Sequence, residues 1–127
     1  RIDGRLNKSF FPDEDDETIS ILSYEYARWK DIRPICFELI KGKRTPTKFV
    51  FILYLKPEAI TAMLEKAGLS FEQSLVQNLI LNIRFEQGEI HVTTGVDYRE
   101  FTLDKQAEQL WDTTTRKFLD KKEISYE

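Results

Sequence analysis

A chain of 127 residues with 41% hydrophobic and 32% charged side chains has the balance of one globular domain with an ordinary buried core, and excludes a disordered chain. Its formal net charge of −3 counts against general polyanion binding, which draws on an excess of Lys and Arg. The single cysteine, Cys36, excludes an intrachain disulfide and fits a reducing compartment, so a cytoplasmic location is expected; neither an apolar run of about eighteen residues nor a basic-then-apolar leader is present.

Residues 13–17, "DEDDE", follow Phe10-Phe11-Pro12. Five consecutive acids repel one another and read as an exposed loop. A calcium loop needs a glycine at its bend, and none is there. From Trp29 the apolar positions Ile32, Ile35, Cys36, Leu39 and Ile40 trace one helical stripe, crossed by Pro34. Because proline suits only the first turn of a helix, the pattern predicts a short helix or turn over 24–30. A second helix then covers 34–41, ended by Gly42 in a left-handed cap. The stretch 35–40 also fits a strand hairpinned through "GKRTP", so helix or strand stays open for 34–41, with helix preferred.

Residues 47–55, "TKFVFILYL", are apolar on both alternating faces, the pattern of a central strand at least partly covered on both sides. Pro57 opens a helix whose stripe is Ile60, Met63, Leu64 and Ala67, and Gly68 stops it. Ser70 and Gln73 have capping-box spacing, which predicts a short helix through Gln77. "LILNIRF" then alternates. A two-residue turn at Gln87-Gly88 would set Phe85 opposite Ile90, Arg84 opposite His91 and Ile83 opposite Val92. Gly95 is expected to break this strand, and "YREFTL" to return as another. Asp104 can cap a last helix with Ala107, Leu110, Trp111, Thr114 and Phe118 as its stripe; Lys117, Lys121 and Lys122 favour its C-terminal end.

The residues with chemical potential are few. Lys41, Lys43, Arg44 and Lys48 place four cations within "KGKRTPTK" (41–48), with Arg33 as a helper, and form a candidate anion-binding set. "GKRT" is not the end of a P-loop, since position 37 is Phe and Arg follows Lys43. Basic residues after a helix also satisfy its terminal carbonyls, so a solvated turn is the plainer reading. Asn82, Arg84, His91 and Thr93 fall together on the polar side of the hairpin, a surface able to hold a small ligand or a partner. His91 could serve there as a base only with a group to orient it. Cys36 lies on an apolar stripe as a small hydrophobe. Trp29 and Trp111 also lie on such stripes, as core or edge residues. No metal site and no acid–base carboxylate pair are predicted.

Four stretches, "WKDIRPICFELIKGKRTP" (29–46), "LNIRF" (81–85), "TTG" (93–95) and "FTLDK" followed by "LWD" (101–112), resemble a family of uncharacterised proteins from clostridia and related Firmicutes, classed as a domain of unknown function. The resemblance spans nearly the whole chain. It implies a bacterial cytoplasmic domain and a segment before Arg1 in a fuller protein. It supplies no activity, cofactor or catalytic residue.

The expected fold is α+β. It is a two-layer sandwich of a mostly antiparallel sheet (47–55, 79–86, 89–94, 98–103) covered by helices, with a long C-terminal helix turning Leu110, Trp111 and Phe118 onto it. Residues 1–127 form a single domain in this reading. The function it supports is a non-enzymatic binding or interaction domain without cofactor, with a protein partner favoured over nucleic acid and no membrane. Phosphate or nucleic-acid binding through 41–48 is the first alternative, and an enzyme built on the face around His91 the second.

Overall fold

The computed structural model describes residues 3–7, 24–42, 44, 46–69 and 75–127. The acidic run 13–17 and the capping pair Ser70/Gln73 lie outside them. The chain forms two compact units, Arg1–Pro46 and Thr47–Glu127.

In the first unit, Arg5 and Tyr26 form an antiparallel bridge. Leu6 N–H donates to Glu25 O at 2.9 Å, and the Arg5 guanidinium lies 5.7 Å from the Tyr26 ring centre. Helix α1 (Trp29–Lys41) follows. It is one continuous helix containing Pro34, where two elements separated at that proline were expected. The proline removes one hydrogen bond, a cost of about 3 kcal/mol in a helix interior. The edge-to-face contact of Trp29 with Phe37, rings 6.2 Å apart, bridges the proline position, and Cys36 is buried. Gly42 is extended (φ −60°, ψ 172°), so the left-handed cap expected there is not formed.

The second unit holds strand β1 (Lys48–Tyr54), helix α2 (Pro57–Lys66), strands β2 (Val76–Glu86) and β3 (Glu89–Tyr98), and helix α3 (Gln106–Lys121). The described residues therefore give an α+β chain with three helices and a three-stranded antiparallel sheet in the order β1-β2-β3. Helix α2 begins at Pro57 as its sequence demands. Gly68 at φ +75° turns the chain so that Leu69 N–H reaches Leu64 O at 2.8 Å, a Schellman-type ending.

Four expectations are corrected here. β1 is an edge strand and β2 the central one: Ile52 is 55% exposed, while Leu79 is fully buried. An apolar run on both faces was the signal, and it does not distinguish a covered strand from one with an exposed apolar side. Residues 76–77 belong to β2 and not to a helix. Between Val76 and Asn78 the register shifts, and Gln77 is the extra residue of a bulge. That shift brings Val76 and Leu79 to the same side, reversing the parity of the pleat. Gly95 does not end β3, because Ile80 pairs with it and carries the ladder on to Tyr98. Finally, 98–103 is not a fourth strand. Thr102 Oγ1 accepts from Asp104 N–H, and Asp104 Oδ1 accepts from Gln106 N–H at 2.9 Å. These two bonds turn the backbone into α3 and leave Phe101 and Leu103 exposed.

The core joins Ile60 and Leu64 of α2, Val76 and Leu79 of β2, and Ala107 and Trp111 of α3. Phe118, expected on the sheet, is 52% exposed, with the Lys122 ammonium 5.9 Å from its ring centre.

Candidate functional site

The pleat sends alternate residues to opposite sides of a sheet, and the register then fixes which of them are neighbours. On one side lie Phe49, Phe51 and Leu53 of β1 with Phe85, Ile83 and Leu81 of β2, paired in that order. Leu79, in line with them, carries the helices. The other side is a grid of four rows. Lys48, Glu86 and Glu89 form the first, and Val50, Arg84 and His91 the second. Ile52, Asn82 and Thr93 form the third, and Tyr54, Ile80 and Gly95 the fourth. Gln87 and Gly88 both take positive φ (54° and 77°), the geometry of a type I′ turn, and this produces the Arg84–His91 pairing.

The structure therefore brings Asn82, Arg84, His91 and Thr93 together as one patch, bordered by the exposed apolar column of β1. Val50 is 42% exposed and Ile52 55%. The first row closes the patch: Lys48 Nζ and Glu86 Oε2 form an ion pair at 3.7 Å, and Glu89 Oε2 lies 3.2 Å from His91 Nε2, on an open face. Chemically the surface offers a guanidinium, an imidazole, an amide and a hydroxyl beside aliphatic area, a combination suited to contact with another surface.

The basic residues are divided. Arg33, Lys41 and Arg44 belong to the first unit and Lys48 to the second; Lys43 lies outside the described residues. Lys41 Nζ sits 5.8 Å from the Phe37 ring centre of its own helix, and Lys48 is held by Glu86. Among the described residues no three of His, Cys, Asp and Glu gather as a metal set, and no helix is long and apolar enough to cross a membrane.

One feature of the second unit escaped the sequence reading. A shallow cleft of about 450 Å³ is lined by Thr94, Gly95 and Val96 of β3 and by Glu108, Gln109 and Asp112 of α3. Its acidic side leaves only a weak signal in the sequence, carboxylates at i and i+4 on α3, which pointed to no site by itself. Its other side was missed, because Gly95 was read as the end of the strand.

A search of the curated proteins and one of the solved structures found no match to the chain. The family model of DUF5721, a family of unknown function, matches residues 1–127. The whole chain, including the stretches whose resemblance was noted above, belongs to that family of unknown function.

Proposed function

We propose that this protein is a bacterial, cytoplasmic interaction module that uses the open sheet face to bind a protein partner. The observation that carries the reading is the exposure of Val50 and Ile52 beside Asn82, Arg84, His91 and Thr93 on one side of the sheet. Isolated exposed aliphatics are ordinary, but aliphatics set in register beside a polar cluster form a docking patch. A central apolar area rimmed by polar groups is also the anatomy of protein interfaces. A two-layer layout is part of this reading: α2 and α3 pack on Leu79, and the opposite side, with Ile52 and Arg84, serves recognition.

Photo-crosslinking from Val50 and Thr93 in the native host tests the reading. A discrete product that disappears in an Ile52→Glu/Arg84→Glu variant supports it; no discrete product from either position overturns it. Ile52→Glu by itself should change unfolding free energy by no more than about 0.5 kcal/mol, as exposed sites do. Leu79→Ala on the covered side should cost about 2–5 kcal/mol.

A further inference from the structure

The cleft between β3 and α3 has a geometry that the open face lacks. An opening above one side of a strand touches alternate residues, since successive side chains point to opposite sides. This one touches Thr94 and Val96, which share the side of Leu81 and Leu79 with α3, and the backbone of Gly95 between them, beside the outer edge of β3. Among the described residues no strand pairs with that edge, because β3 is the last strand of the order β1-β2-β3. Natural edge strands are blunted by charges, prolines or bulges. The segment "VTTGV" (92–96) contains neither charge nor proline, and its pairing with β2 continues without a shift from Val92 to Val96.

The two-residue turn makes Glu86–Glu89, and every second pair from it to Ile80–Gly95, the hydrogen-bonded pairs of the ladder, so Thr94 and Val96 turn their N–H and C=O to the outer edge. The opposite wall is acidic. Glu108 and Asp112 line the cleft from one side of α3. They are held only by exposed pairs on the same helix side, Lys105 Nζ at 3.4 Å and Arg116 Nε at 3.4 Å. Such surface pairs contribute about 0–1 kcal/mol, so exchanging them for a partner's cations costs little.

We propose that the edge of β3 at Thr94, Gly95 and Val96, with the carboxylates of Glu108 and Asp112, takes up an extended basic peptide segment of another protein as an added strand. Main-chain hydrogen bonds to β3 supply the pairing, and the acidic wall selects Lys or Arg at alternate positions. Gly95 also ends the last row of the open face, so the two surfaces are distinguished by whether a ligand perturbs Ile52 and Arg84 or the edge at Thr94 and Val96.

The test uses fluorescein-labelled Lys-Val-Lys-Val-Lys-Val. Its controls are Glu-Val-Glu-Val-Glu-Val and Lys-Pro-Lys-Pro-Lys-Pro, the last with equal charge but without alternate N–H donors. The first peptide should bind at low salt, shift the amide resonances of Thr94, Gly95 and Val96, and slow the hydrogen exchange of Thr94 and Val96. A Glu108→Lys/Asp112→Lys variant with an unchanged circular dichroism spectrum should bind about tenfold more weakly. Absence of binding by the first peptide overturns the proposal. Equal binding of the proline peptide, or perturbation confined to Ile52 and Arg84, overturns it as well.

Discussion

The indole Nε1–H of Trp111 donates to the backbone carbonyl oxygen of Ile80 at 2.8 Å. One side chain thus fastens α3 to the central strand of the sheet while its ring fills the core beside Leu64 and Leu79. Ile80 is also the residue that faces Gly95 across the β2–β3 ladder, so this bond secures the helix next to the strand segment that lines the cleft.

Trp111→Phe keeps an aromatic ring but removes the donor and part of the volume. A lost hydrogen bond at a part-buried site and the space left by the smaller ring together should lower stability by about 2–3 kcal/mol. Urea unfolding measures it. A loss below about 0.5 kcal/mol would show that the bond does not hold the helix in place.

Thr115, one turn beyond Trp111, is 6% exposed, and its hydroxyl finds no hydrogen-bond partner among the described residues. Thr114, by contrast, donates to Leu110 O at 2.7 Å. Burying an unsatisfied hydroxyl costs about 1–3 kcal/mol. Thr115→Val, nearly the same shape, should therefore raise stability by roughly 1 kcal/mol. A destabilised variant would mean that the hydroxyl has a partner.

The Tyr126 phenol is pushed above the ordinary tyrosine value, first by loss of hydration and then by the Asp120 carboxylate, which also accepts its hydrogen bond. Arg116 opposes the shift and Asp112 adds to it. The folded chain holds this proton more tightly than the unfolded one. The resulting stabilisation is therefore complete below the ordinary value of about 10 and is lost as pH rises through the folded value. Asp120→Asn should move the Tyr126 ring resonances to a lower titration midpoint. An unchanged midpoint would rule out the carboxylate as a cause.

The basic stretch 41–48 is expected to give no salt-sensitive nucleic-acid binding. Anisotropy of labelled single- and double-stranded oligonucleotides at two salt concentrations, for wild type and a Lys43→Ala/Arg44→Ala variant, checks this. Binding that falls steeply with salt and is lost in the variant would make the stretch a phosphate grip. Arg33, Lys41 and Lys48 would then be the next positions to replace.

Local patterns determined much of the second unit. Pro57 and Gly68 bracket α2 because one fits a first helical turn and the other a left-handed ending. The two-residue turn at Gln87-Gly88 fixed the register of β2 with β3, because a slip by one residue would turn every apolar side chain to the wrong side. The pairing of Arg84 with His91 and of Ile83 with Val92 was therefore legible in the sequence alone.

What tertiary structure alone decided are the properties that depend on a strand's neighbours. "TKFVFILYL" has the composition of a covered strand, yet β1 lies at an edge, since sheet order is set by which strands meet and not by their own residues. Gly95 reads locally as a break, but pairing with Ile80 carries the ladder through it. "YREFTL" alternates like a strand, yet among the described residues only Tyr98 pairs with β2, and the rest turns toward α3. The cleft follows from the same cause: its two walls are a continued strand and a helix flank, separate in sequence and joined only by packing across the core.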